Sequence, residues 1–233
     1  MQLPSLTSAI LIRRYKRFLA DVEIATGEIL TVHCPNTGAM TGLAEAGMPV
    51  WLSHHDNPKR KLAWTWELVE TPEGIACIHS ARANAVVDEA LSRDVLPELS
   101  GFTQYRREVR YGKASRADFC LDYAEGPAML EVKAVTLLGA AGQGLFPDAV
   151  SSRALRHLNE LEKSVLAGGR SALVFCSLHT AIERFAPAAH IDPHYAKALQ
   201  QAVASGVEVY GMSVTVTPES IEVSGRLILE GIT

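Results

Sequence analysis

The chain has 233 residues, 48% of them hydrophobic and 21% charged, and carries a net charge of −4. That is enough apolar material for one large or two small packed domains, and the net negative charge excludes a surface that attracts polyanions indiscriminately. No apolar run reaches the roughly 20 residues of a membrane helix, and the first residues lack the apolar block of a secretory leader. The expectation is a cytoplasmic protein with no membrane partner.

In chain order, residues up to about 80 read as β-rich. Strand-like runs cover Ala9 to Ile24, Glu28 to Cys34, Met48 to His54, Lys61 to Glu70 and Ile75 to His79, with turn signals at Thr26-Gly27 and Pro72-Glu73-Gly74. Five strands predict a small barrel of the OB type or a similar one. Between the second and third runs, PNTGAMTGLAEAG reads either as a loop with exposed backbone donors facing phosphate or as a turn and short helix. The cysteines Cys34, Cys77, Cys120 and Cys176 are widely spaced without a CxxC pair, which predicts buried free thiols. The histidines of His54-His55-Asp56 are neighbours on a strand and point to opposite faces, so they do not share an ion.

Asn84 to Leu96 repeats apolar residues at helical spacing and is closed by Pro97. The domain division is therefore 1–82 for the barrel and 83–233 for an α/β domain. Next, SRADFCLDYAEGPAMLEVKAVTL places charges inside a strongly apolar stretch. Arg116 to Tyr123 and Ala128 to Leu138 read as an antiparallel hairpin around Ala124–Pro127. Strand alternation puts Glu131 and Lys133 on one face. A turn centred on Glu125 and Gly126 sets Asp118 opposite Lys133 and diagonal to Glu131, so the three charges converge. Two carboxylates and an ammonium in low dielectric need pairing or a metal. Two readings fit: a self-contained ion cluster, or a site in which Asp118 and Glu131 bind Mg2+ or Mn2+ while Lys133 assists phosphodiester hydrolysis.

After the hairpin, GAAGQGLFPDAV leads into a helix from about Asp148 to Ala167, stopped by Gly168-Gly169. Arg153, His157 and Glu160 share a face of this helix, either as an ordinary solvated face or with Arg153 and His157 set toward phosphate. Ser171 to Leu178 is a buried strand, Asp192-Pro193 caps the next helix, and two closing strands follow. Basic residues gather in three stretches: Arg13, Arg14, Lys16 and Arg17; Lys59, Arg60 and Lys61; Arg106, Arg107, Arg110, Lys113 and Arg116. Tyr15, Phe18, Tyr105 and Tyr111 interleave them, a pattern suited to phosphate backbones and stacked bases. Solvated strand faces with core aromatics are the other reading of any one cluster.

At Asp118 and Glu131-Val132-Lys133 the chain resembles the restriction-endonuclease-like nuclease core. The blocks RYKRFLADV, HCPNTGAM, SRADF, EVKAVTL and FPDAVSSR, spread over most of the chain, look like the sugar fermentation stimulation protein (SfsA) family. One departure is Ala154, where the resemblance leads one to look for glycine; it concerns helix packing, not the acids. The resemblance implies an α/β (α+β) fold, with an N-terminal OB-like barrel followed by a restriction-endonuclease-like mixed-sheet domain with flanking helices. It also implies DNA binding and a role in regulating sugar use. In that nuclease core a helix before the first strand often supplies another acid, which here makes Glu89 the third candidate ligand. Cleavage is not implied. A binding-only regulator with a vestigial site, or a metal-dependent phosphoesterase acting on small sugar phosphates, are the alternatives, and the residues do not separate DNA from RNA.

Overall fold

A computed structural model describes residues 1–111 and 115–232, so Lys113 lies outside the described residues. The first half forms β1 (Leu6–Tyr15), β2 (Leu19–Ile24), β3 (Ile29–His33), β4 (Pro49–His54), β5 (Trp64–Thr71) and β6 (Gly74–Cys77). They lie in the order β3-β2-β1-β4-β5-β6. His33 pairs with Thr65, joining β3 to β5 and closing the first five strands into the expected OB-type barrel. Val22, Val32, Leu52 and Trp66 fill its interior with no exposed surface.

The expected single run from Ala9 to Ile24 is instead a hairpin, with Tyr15 paired to Leu19. The reversal uses Lys16 (φ 50°) and Arg17 (φ 61°), left-handed positions usually taken by Gly or Asn, so it carries no turn signal in the sequence. Arg14 secures it by donating to the carbonyl oxygen of Arg17 at 3.2 Å. The PNTG segment is a loop with no helix. Asn36 Oδ1 accepts from Gly38 N at 2.8 Å, and Arg14 donates to the carbonyls of Asn36 and Gly38 at 2.9 and 3.0 Å.

The second half runs α1 (Arg82–Ser92), β7 (Gln104–Tyr111), β8 (Ser115–Tyr123), β9 (Gly126–Val135), β10 (Leu137–Leu138) and β11 (Gln143–Phe146). It continues through α2 (Ser152–Leu166), β12 (Arg170–Ser177), β13 (Arg184–Pro187), α3 (Pro193–Ala204), β14 (Glu208–Val216), β15 (Ile221–Arg226) and β16 (Ile228–Leu229). The main sheet is ordered β15-β14-β12-β9-β8-β7, with β9, β12 and β14 parallel and the flanking pairs antiparallel. Helix α1 buries Val86 and Val87 against Phe119, Leu121 and Leu130 on one face. Helices α2 and α3 bury Leu158, Leu161 and Leu199 with Phe175 on the other. This is the mixed-sheet domain the resemblance implies.

The smaller sheet β10-β11-β13-β16 was not legible in the sequence, because its strands are only two to four residues long. Helix α2 starts later than expected, capped by Ser151, whose hydroxyl accepts from Ala154 N at 3.1 Å. Asp192 caps α3 as expected, accepting from Tyr195 N at 3.0 Å. All four cysteines are buried and unpaired, and burial pushes the Cys77 and Cys176 thiols up to about 12. Among the described residues no helix is long and apolar enough to cross a membrane.

A buried carboxylate joins the barrel to the second half. Glu67, with no exposed surface, accepts from Ser53 Oγ (2.8 Å), His79 Nδ1 (2.8 Å), and Arg82 Nε and Nη2 (3.1 and 2.9 Å). Arg82 is the first residue of α1, so this group anchors the helix that reaches the charged hairpin. Burial alone would push the Glu67 carboxyl up, but the hydrogen bonds from His79 and Arg82 outweigh it and hold it at about 2.

Candidate functional site

Strands β8 and β9 pair from Phe119↔Leu130 to Tyr123↔Gly126. The turn is thus centred on Ala124 and Glu125, and the register differs by two residues from the expected one. An even shift preserves which face each side chain occupies. Asp118 therefore keeps the face of Glu131 and Lys133, but continuing the register sets it across from Glu131 instead of Lys133. The paired ladder ends just there. The Val132 N–H donates to Asp118 Oδ2 at 2.7 Å, and Asn84 Nδ2, from α1, donates to Oδ1 at 2.8 Å. Asn84 had no signal as a site residue in the sequence, since it reads as an ordinary residue at a helix start.

Glu131 is only 2% exposed. Its Oε1 accepts from Lys133 Nζ at 2.5 Å and from His157 Nδ1, while its Oε2 is buried without a hydrogen-bond partner. Burial pushes the Glu131 carboxyl up, and His157 and Lys133 reverse this and hold it below the usual range. Asp118 goes the other way, pushed up by burial and by the charge of Glu131 despite the Val132 N–H and Lys133. Burial and the charges of Glu131, Glu160 and Asp118 likewise push up the Tyr111 hydroxyl. The site has one buried carboxylate oxygen without a hydrogen-bond partner, Oε2 of Glu131. Two facing carboxylates are hard donors, and these residues fit a divalent cation that completes its shell with water and substrate oxygens. Among the described residues no three His, Cys, Asp or Glu side chains gather to hold an ion by themselves.

Asp118 and Lys133 form part of the wall of a cleft of about 890 Å³ between the barrel and the sheet domain. The barrel side is Arg14, Arg17 and the loop Asn36 to Ala39; the opposite side is Phe146 to Ser151 and Arg153. Glu108 also lines it. Glu108 adopts φ 53° within β7, and nothing in the Arg-rich run around it signalled a place at the site.

Several other expected site residues are engaged by neighbouring groups. Glu89 lies in a separate cavity with Val86, Arg93 and Val223, and its carboxylate pairs with the Met1 amino group (2.7 Å) and with Arg93 (2.9 Å). It stands five residues after Asn84, about 140° further round the helix, so it is not directed at Asp118. His157 is 7% exposed and committed to Glu131, not to solvent. Arg14 is occupied by loop carbonyls, Arg13 by Asp21 at 2.8 Å, Arg106 by Asp122 at 2.9 Å and Arg107 by Asp88 at 3.1 Å. Arg60 donates to Thr65 Oγ1 at 2.7 Å. Lys16, Arg17, Lys59, Lys61, Arg110, Arg116 and Arg153 have no carboxylate partner within salt-bridge distance among the described residues. Arg110 and Arg116 pair directly across β7 and β8.

An OB-type barrel set against a restriction-endonuclease-like sheet, with Asp118 and Lys133 at the wall of the cleft between them and Glu131 buried behind, defines the architecture. The chain belongs to the sugar fermentation stimulation protein family: the family's RE domain matches residues 81–220 and the SfsA N-terminal OB domain matches residues 12–78. It is 50% identical over 228 residues to the sugar fermentation stimulation protein homolog of Chromohalobacter salexigens, covering 95% of this chain and 90% of that one. The homolog of Pseudomonas fluorescens strain SBW25 is 50% identical over 227 residues, 96% of each chain. Among solved structures, Pyrococcus furiosus SfsA in complex with Ca2+ superposes with a TM-score of 0.89 at 27% identity, covering 99% of this chain and 98% of that one.

Proposed function

We propose that this chain is a DNA-binding protein that regulates sugar metabolism, with a nuclease-like divalent-metal site in its interdomain cleft. The observation that carries the reading is the convergence of Asp118, Glu131 and Lys133 beside a cleft whose rim holds Arg17 and Arg153. Asp118 and the unpaired Oε2 of Glu131 are the atoms that would hold Mg2+ or Mn2+. The Ca2+ in the Pyrococcus furiosus relative supports a hard cation in this fold. When bound, such an ion polarises a phosphate and lowers the pKa of its bound water.

The remaining roles belong to the chain itself. His157 and Lys133 both hold Oε1 of Glu131, which keeps Oε2 turned to a different partner. Lys133 lines the cleft, and in this reading its ammonium neutralises charge that builds on a phosphate oxygen. Arg17 and Arg153 meet flanking phosphates. Arg110 and Arg116, like charges directly opposite on a strand pair, repel unless they share an anion, and a DNA phosphate supplies one. The regulatory role rests on the family alone.

One observation favours a small-molecule phosphoesterase: the cleft volume of about 890 Å³ falls within the range of ordinary ligand pockets. That reading leaves the arginine pair outside the cleft without a use. Calorimetric titration of wild type and Asp118→Asn with Mn2+, followed by incubation with plasmid, linear duplex, single strands, RNA and sugar phosphates, tests the proposal. Metal binding lost in the variant, with DNA bound or cut, supports it. Absence of metal binding by the wild type overturns the metal site; metal binding with every nucleic acid intact but bound assigns a regulator without nuclease activity.

A further inference from the structure

The walls of the cleft meet. Gly38, on the barrel loop, lies so close to Asp148 that a Cβ added to it would overlap the Asp148 carboxylate, and Met40 N–H points to Asp148 Oδ2 at 3.5 Å across a separation of 108 residues. The loop that makes this contact is held in place from below by the Arg14 guanidinium, through the carbonyls of Asn36 and Gly38. Both Gly38 and Asp148 line the same cleft as Asp118 and Lys133. A contact between the barrel loop and the second domain thus bridges the cleft on one side.

At the rim, the β1–β2 hairpin tip presents Arg17 to the cleft, and the next residue in the chain, Phe18, is 52% exposed. A cation beside an accessible aromatic ring is the pairing that binds a phosphate and stacks the attached base, and it does so without regard to sequence. A duplex keeps its bases stacked inside and offers no ring to Phe18.

We infer that the cleft takes an unpaired DNA strand or a frayed end, and that the Gly38–Asp148 contact excludes an intact duplex. This rests on the nucleic-acid reading above. The test is fluorescence anisotropy at fixed salt with a short single strand, the same strand in a blunt duplex, and that duplex carrying an unpaired tail. The wild-type chain is expected to bind the single strand and the tailed duplex at least about tenfold more tightly than the blunt duplex, the worth of one stacked base. Phe18→Ala, at an exposed position, should remove about that factor from the single strand and leave the blunt duplex unchanged. Asp148→Ala, which opens the contact, should raise duplex affinity toward that of the single strand. Equal binding of all three probes by the wild type, or a Phe18→Ala variant that keeps the preference, overturns the inference while leaving the nucleic-acid reading in place. Failure of every probe to bind overturns both.

Discussion

Replacing Glu67 by Gln isolates the charge that joins the barrel to α1 while keeping shape and volume. In the folded chain this carboxyl is held at about 2 against an ordinary value of 4.5. At about 1.4 kcal/mol per pH unit that difference is worth about 3 kcal/mol of stability. Removing one partner of a buried, hydrogen-bonded ion pair costs roughly 3 to 5 kcal/mol by an independent route, because Arg82 is left without its counter-charge. For a chain of this size the loss corresponds to a midpoint roughly 6 to 12 °C lower. The sign follows from the lowered value: the carboxylate stabilises fully above about pH 4.5 and its contribution is lost as pH falls toward about 2. Urea unfolding of wild type and Glu67→Gln at neutral pH and at a series of acid pH values measures both effects. A neutral-pH difference under about 1 kcal/mol, the size of an exposed pair, refutes the reasoning, as does a difference that fails to narrow on acidification.

The other predictions concern the cleft. Asp118→Asn should leave the metal-free protein as stable as wild type or more so at neutral pH, since burial and Glu131 push the Asp118 carboxyl up and make its charged form unfavourable; the gain should fade as pH falls below its folded value. In thermal melts Mn2+ should raise the wild-type midpoint by mass action and leave the variant's unmoved, whereas strong destabilisation of the variant would support a self-contained ion cluster. His157→Ala should cost about 1.5 to 3 kcal/mol, the range for a hydrogen bond to a charged group; a melt indistinguishable from wild type would show that Glu131 does not depend on it. Arg17→Ser combined with Arg153→Ser should weaken binding about equally across DNA sequences and flatten the logarithmic salt slope by about 1 per residue, and an unchanged slope would remove both from the phosphate track.

Much of the site was legible because strand alternation is local. Glu131 and Lys133 share a face whatever the rest of the chain does, and Asp118 stayed on that face because the register error was an even number of residues. The Asp192-Pro193 cap was legible for the same reason, its hydrogen bond reaching only to Tyr195. The reversal at Lys16 and Arg17 was not, since both residues take a left-handed conformation that their side chains do not favour.

By itself, then, the sequence determined the two kinds of domain, the family and the shared face of Asp118, Glu131 and Lys133 at the centre of the candidate site. All of these are carried by short-range patterns: hydrophobic period, turn residues and motif spacing. Tertiary structure alone decided that Glu89 turns away toward Arg93, that Asn84 reaches Asp118, that His157 is buried on Glu131 and that Gly38 closes on Asp148. These depend on which faces of distant elements pack together, and that is set by the burial of the whole core, not by the neighbours of any one residue.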